Sequence, residues 1–463
     1  MSDQVRKVAF VTLGCPKNTV DTEVMHSRLI GDGWELVLDP GAADAAVINT
    51  CGFIGPAREE SVNTILEVAR LKAASDSRLS TLVVTGCMVT RYADELWNEI
   101  PEIDVLVDLA SFGNIDRILN EAREVGERRR YQGGDTYLYQ GRDRTGRLTL
   151  PHTTYVKIAE GCDHTCAFCA IPGFKGGFKS RQPDDIVDEV ATLVRGGTRE
   201  LNFISQDTSF YGVDLAGKRQ LSSLLRRIAQ DVDGDYWVRL LYLYPTEVDR
   251  VLLEEMARNP RVVPYVDVPL QHADAKVLRA MRRGGSPERL KGLVSEIREV
   301  IPDVAIRTTF IVGFPGETEA EFQVLEDFVR EQRFDNMGVF TYSPEEGTRA
   351  EPLGDPVPEE VKEERQDRLM ALQQEISAGV NEERVGRGMR VLVDRIAEGV
   401  ALARGPLHAP EIDGHVRIMR SAMGALPTPG RFEDVEIVDS HIYDLDAEWS
   451  GPPGFAGPAH GRR

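Results

Sequence analysis

Cysteine is scarce in this sequence, basic residues are outnumbered, and no long apolar run occurs. Each shortage narrows the field. No stretch approaches the ~20 apolar residues of a membrane span, so no membrane role is expected. The opening MSDQVRKVAFV lacks a charged-then-apolar leader with a small-residue cleavage site and starts as a strand, which points to a cytoplasmic protein. Six cysteines in 463 residues exclude a disulfide framework, because a chain this long needs no staples in a reducing compartment. Metal binding or catalysis remains for them. Lysine and arginine number 55 against 75 acidic residues, a net charge of -20 that repels phosphate backbones and attracts basic proteins. Over residues 381–449 lysine is absent, and eight arginines meet thirteen acidic residues.

What is present divides the chain into parts. Over residues 5–120, β-branched strands alternate with helical stretches: VAFVTLGC, DTEVMHSRLIGDGW, AAVINTC, REESVNTILEVARLKA and TLVVTGC. Such alternation predicts an α/β domain with a mostly parallel sheet. Residues 120–150 are polar, charged and glycine-containing, and read as a connector. Over residues 148–378, candidate strands at 153–159, 200–205, 237–244, 265–270, 305–314 and 336–343 alternate with amphipathic helices. Six such units predict an incomplete parallel (β/α)6 barrel, and a charged helix over 356–381 places Val361, Leu369, Leu372 and Ile376 on one face. Short strands over 381–449 predict a small five-stranded OB-like β-barrel, and residues 450–463 read as a disordered tail.

Half of the cysteines crowd into GCDHTCAFCAIP, residues 161–172. Cys162, Cys166 and Cys169 form CxxxCxxC just after the first strand of the second domain. A zinc site usually pairs two CxxC units, and no second pair follows; a Cys3His site with His164 is the alternative. Three thiolates on a four-iron cluster leave one iron open to another ligand. The other cysteines, Cys15, Cys51 and Cys87, end three apolar strands of the first domain. In a parallel sheet those carboxyl ends share one rim, so the three thiols should converge despite their separation in sequence. They form a second soft-donor set with one iron free. Glycine beside each lets backbones approach closely.

The CxxxCxxC loop, with Phe168 before its third cysteine, resembles the radical S-adenosylmethionine (SAM) superfamily. The resemblance implies that Cys162, Cys166 and Cys169 ligate a 4Fe-4S cluster whose open iron binds SAM, and that an electron from an external donor cleaves SAM to a 5′-deoxyadenosyl radical. Phe168 would lie near the adenine, unless it is a core aromatic. With the second cysteine set and the C-terminal barrel, the whole chain resembles the radical SAM methylthiotransferases: an N-terminal methylthiotransferase domain, a radical SAM core and a TRAM domain. That family replaces an unactivated C–H by C–S–CH3, using a second 4Fe-4S cluster, here on Cys15, Cys51 and Cys87, to carry the sulfur. The stretches SQDT, LYLYP, PLQH and TTFIVGFPGET match its pattern at carboxyl ends of barrel strands. By that match Gln206, Asp207, Gly313, Gly316 and Glu317 line the SAM pocket; the alternative for GFPGE is an ordinary strand-to-helix turn. His272 receives no role.

Members of the family modify either a tRNA adenosine or the β-carbon of an aspartate in small-subunit ribosomal protein twelve. GCPKNTVDTE around Cys15 and IPGFKGGFKSR after the clustered cysteines resemble the RimO type, which takes the protein. The acidic barrel agrees, since holding RNA requires a positive groove, whereas ribosomal proteins are basic. A barrel that only stabilises the core is the alternative to a docking surface. tRNA is therefore disfavoured, and nothing in the sequence demands more than a monomer. The rival from another class is a noncatalytic iron-sulfur scaffold.

Overall fold

Fully buried runs such as Ala45–Thr50 and Thr81–Gly86 suit only the middle of a sheet covered on both faces, and that is where the chain puts them. The computed structural model describes residues 5–419 and 425–451; the tail beyond Gly451 lies outside them. Six parallel strands form the first sheet, in the order Trp34–Leu36, Arg6–Thr12, Ala45–Thr50, Thr81–Gly86, Val105–Val107, Arg129–Tyr131. The last strand comes from the segment read as a connector. That segment also buries Tyr139 and Arg144, because Arg144 finds two carboxylates, Glu23 and Glu189, to answer its charge. A polar composition therefore marks an interdomain seam here, not a loose linker.

The second sheet is an open parallel array of six strands in chain order: Thr153–Lys157, Glu200–Ile204, Trp237–Leu240, Val262–Asp267, Ala305–Val312 and Asn336–Thr341. This is the incomplete barrel expected. Its third strand stops at Leu240, short of the predicted 244, because Tyr242 takes a left-handed φ of 62° and leaves the ladder. Helices Pro183–Arg195 and Pro287–Val300 open on proline, whose fixed φ suits a first turn. Helix Glu319–Gln332 opens on a reciprocal capping box between Thr318 and Glu321. In the long helix Glu359–Glu382, Leu369, Leu372 and Ile376 enter the core and Val361 is half-buried.

Strands Gly388–Ala397, Val400–Arg404, Val416–Ile418, Leu445–Trp449 and Phe432–Ser440 close into a five-stranded barrel. It docks on the amino-terminal ends of the core strands through buried charges. Arg404 reaches Glu200 at 2.5 Å and Asp394 at 2.6 Å, and Tyr265 donates to Asp413 at 2.6 Å. Removing one partner of such a pair costs about 3–5 kcal/mol, so this barrel is built into the core's stability.

Candidate metal and cofactor site

Strands Arg6–Thr12, Ala45–Thr50 and Thr81–Gly86 are neighbours, so the residues following each come out side by side. Cys15 precedes helix Pro16–Gly31, Cys51 follows the central strand, and Cys87 opens helix Cys87–Glu99. The glycines permit the closeness: a Cβ on Gly14 would stand 2.8 Å from Cys51 Cβ, and one on Gly86 would stand 2.4 Å from the Thr50 carbonyl. Asn18 ties the three loops, donating to the Leu13 carbonyl at 2.9 Å and the Thr50 carbonyl at 3.1 Å while its Oδ1 lies 3.9 Å from Cys87 Sγ. Ser61 clamps Cys51, accepting from its N–H at 3.1 Å and donating to its carbonyl at 3.0 Å. The expected convergence is thus present at the level of backbone and neighbours. Asn18 went unread, although its place in GCPKN, one turn into a helix beside Cys15, is the signal that marks it.

The second set sits on the rim of the other sheet. The Cys162 N–H donates to the Gly176 carbonyl at 3.1 Å, and the Ala167 N–H to the Met281 carbonyl at 2.7 Å, so the loop is pinned at both ends. Arg283 donates to Cys166 Sγ at 3.4 Å and lies on the Tyr244 ring at 3.9 Å. His164 stacks on the same ring and meets Asp207 at 2.6 Å. Tyr244 belongs to LYLYP, but Arg283 carried no sequence signal.

The remaining expected residues divide. Phe168 packs with Phe314, Ile311 and Tyr342, which brings it to the GFPGE turn. Glu317 is buried, accepts from the Gly313 N–H at 2.9 Å and pairs with Arg365 at 2.9 Å and His272 at 3.4 Å. Gly313 lies against Lys362, and the Gly316 carbonyl accepts from Lys276 at 3.0 Å. Gln206 donates to Glu160 at 2.5 Å. Asp207 also caps the next turn, accepting from the Ser209 and Phe210 N–H groups. A cavity of about 450 Å3 opens beside the cysteine loop, walled by Cys166, Cys169, His164, Tyr92 and Arg349. Gln206, Asp207, Gly313, Gly316, Glu317 and Phe168 stand outside that wall.

The two cysteine sets meet across one short helix. Ile171–Lys175 follows Cys169 by one residue, and its Phe174 packs on Cys87 and Leu109. Beneath it lies a buried ionic group in which Lys157 reaches Asp21 and Glu160, and Lys175 reaches Glu160 at 3.2 Å. Burial opposes the Glu160 carboxylate, but Lys157 and Lys175 outweigh it and hold the carboxyl well below its usual range.

The donor chemistry suits iron-sulfur clusters. All six thiols are free. Among the described residues no group of three or more His, Cys, Asp or Glu could hold a single metal ion, as a zinc site requires. A four-iron cluster instead takes each thiolate on a different iron. Burial pushes Cys162 up to about 11 and Cys87 and Cys169 up to about 12, so the metal-free side chains keep their protons, and a metal bound by these thiols would have to displace them.

Comparison with known proteins agrees with this division. Models of the uncharacterized protein family UPF0004, the radical SAM superfamily and the TRAM domain match residues 7–108, 156–329 and 385–449. The ribosomal protein uS12 methylthiotransferase RimO of Anaeromyxobacter sp. (strain K) is 46% identical over 95% of this chain and 92% of its own. That of Heliobacterium modesticaldum is 44% identical over 97% and 96%. Among solved structures, the radical S-adenosylmethionine methyltransferase TsrM of Kitasatospora setae aligns with a TM-score of 0.53 at 16% identity over 86% of this chain and 81% of that one, a likeness of fold. The architecture, the cysteine sets and the relatives converge: the chain belongs to the RimO type of the radical SAM methylthiotransferase family.

Proposed function

We propose that the protein replaces a C–H by C–S–CH3 at the β-carbon of an aspartate in small-subunit ribosomal protein twelve, in the cytoplasm. The observation that carries this reading is the helix Ile171–Lys175, which starts beside Cys169 and packs Phe174 on Cys87, joining two sets of three free thiols. Cys162, Cys166 and Cys169 would hold one 4Fe-4S cluster and Cys15, Cys51 and Cys87 the other. Such clusters supply electrons for SAM cleavage at the first set and a sulfur-carrying iron at the second. Arg283 and Tyr244 position Cys166, and Asn18 and Ser61 position the other set. The 450 Å3 cavity between the cysteine loop and helix Cys87–Glu99 has room for the nucleoside cofactor and an entering side chain.

The acidic barrel supports a basic partner. Glu436 and Glu448 are both exposed and face each other across paired strands, an arrangement that costs stability unless something positive covers it. The test offers the anaerobic, iron-loaded and reduced protein, with SAM and sulfide, the ribosomal protein and bulk tRNA side by side. Mass spectrometry should find one methylthio group on an aspartate of the protein. Modification of tRNA alone would overturn the substrate, and failure to form 5′-deoxyadenosine would overturn the chemistry.

A further inference from the structure

Glu345 is a carboxylate of the core domain that answers charges of the first domain. It lies in the loop after strand Asn336–Thr341, its side chain is 2% exposed, and it pairs with Arg58 and, at 3.2 Å, with Arg91. Both arginines follow cysteines of one set. Arg58 stands in the first turn of helix Gly55–Ala73, just beyond Cys51, and Arg91 stands one turn after Cys87 in helix Cys87–Glu99. Arg91 also donates to the Gly52 carbonyl at 2.6 Å and the Glu346 carbonyl at 3.1 Å, so its fork spans the Cys51 loop and the core loop at once. The Tyr92 ring faces both guanidiniums, at 5.6 Å and 4.9 Å. The same core loop reaches the other cysteines. The Thr348 hydroxyl donates to the Glu345 carbonyl at 2.7 Å, and the N–H of buried Ala350 donates to the Ala167 carbonyl at 2.8 Å, between Cys166 and Cys169. Directional contacts thus run from Cys51 and Cys87 through Glu345 to the cysteine loop, along the 450 Å3 cavity that Arg91, Glu346, Thr348, Cys166 and Cys169 wall.

We propose that Glu345 is a positioning residue that fixes the separation of the two metal centres. This rests on the function proposed above, in which a hydrogen taken beside one cysteine set and sulfur supplied at the other meet on one carbon of the substrate. The apolar packing of helix Ile171–Lys175 holds the sets together without fixing a direction, whereas a buried carboxylate between two guanidiniums does not slide: moving either domain would leave a desolvated charge unanswered. Misplacement by about 1 Å costs on the order of 10²-fold in such a step. Loosening this clasp therefore uncouples SAM cleavage from sulfur transfer.

The test compares Glu345→Gln with the wild type, both anaerobic, iron-loaded and reduced. Two readouts follow placement and not stability: the splitting of the electron paramagnetic resonance signal by spin coupling between the centres, and the number of 5′-deoxyadenosine molecules formed per methylthio group added to the ribosomal protein. In Glu345→Gln the splitting should shrink, and the ratio should rise at least about tenfold. Arg91→Lys keeps the charge, but its single nitrogen does not span the Cys51 loop and the core loop, so the ratio should rise about threefold or more. A Glu345→Gln protein that melts at a lower temperature yet keeps both the splitting and the ratio overturns the proposal, since Glu345 would then stabilise without positioning. An unsplit wild-type signal overturns it too, because centres that far apart need no clasp. If Glu345→Gln does not fold, Arg91→Lys decides by the same two readouts. A wild type that adds no methylthio group to the ribosomal protein would overturn the substrate, while the splitting would still judge Glu345. One cluster's worth of iron per chain overturns both.

Discussion

His164 lies flat on Tyr244, with ring centroids 3.6 Å apart and planes 7° from parallel. Its Nε2 is held at 2.6 Å by Asp207, which is itself fixed by the turn it caps. The imidazole is thereby committed through Nε2 to a carboxylate and through its face to a ring. His164→Ala should therefore keep the full iron content and the visible spectrum of a cluster at Cys162, Cys166 and Cys169. Loss of metal in that variant, with zinc in the wild type, would restore the Cys3His alternative.

The cysteine sets should separate on mutation. Cys166→Ala should remove about half of the iron and abolish 5′-deoxyadenosine formation. Cys51→Ala should also remove about half of the iron, yet leave SAM cleavage and stop sulfur transfer. Equal loss of cleavage in both variants would mean that the helix between the sets couples them into one site.

Gly161 carries a φ of 78°, and a Cβ there would stand 2.2 Å from the Gly177 carbonyl oxygen. No side chain can relax that contact, because the obstacle is backbone. Gly161→Ala should cost about 2 kcal/mol or more and should strip iron from Cys162, Cys166 and Cys169 before Cys15, Cys51 and Cys87. A thermal melt together with iron analysis checks this; a variant that melts like the wild type would show that the loop shifts freely.

The cysteine motifs, the two parallel sheets and the closed barrel were legible in the sequence because each rests on local spacing and period. The interdomain seam was not. Arg144 with Glu23, Lys157 with Asp21, and Arg404 with Glu200 are pairs more than a hundred residues apart, and a charged residue in a polar stretch gives no sign that it will be buried. The same blindness made residues 120–150 look like a linker. The motifs were equally silent on surroundings: Gln206, Asp207 and Glu317 were singled out by motif, but the motif does not say that each is already bonded to Glu160, His164 or Arg365 and stands outside the cavity beside the cysteine loop.

Acid should loosen the C-terminal barrel. Burial alone would raise Asp394, but the hydrogen bond to His152 and the Arg404 guanidinium outweigh it and bring it down to about 2. A depressed carboxyl contributes stability that is present above its unfolded value of about 3.9 and is lost as pH falls from there toward 2. Limited proteolysis near residue 381 should accelerate between pH 4 and about 3 in the wild type, beyond what other carboxyls cause. Asp394→Asn should be cleaved faster at neutral pH and show a smaller acid response. Parallel acid profiles in the two proteins would remove Asp394 from the docking account.

The barrel's exposed acids allow stability and binding to be pushed in opposite directions. Glu448 opposes Glu436 directly across antiparallel strands, so Glu448→Lys turns a repulsion into an attraction worth roughly 0.2–1 kcal/mol. A protein that only needed a stable barrel would gain from the change. If the acidic face docks a basic ribosomal protein, the same change should weaken binding by roughly twofold to fivefold at low salt, and the difference should fade as ionic strength rises. The two readings thus predict the same melting curve and different titrations. A higher melting temperature with unchanged, salt-insensitive binding would leave the barrel with a structural role alone. A higher melting temperature with weaker, salt-sensitive binding would mean that the repulsion between Glu436 and Glu448 is kept for the partner it attracts.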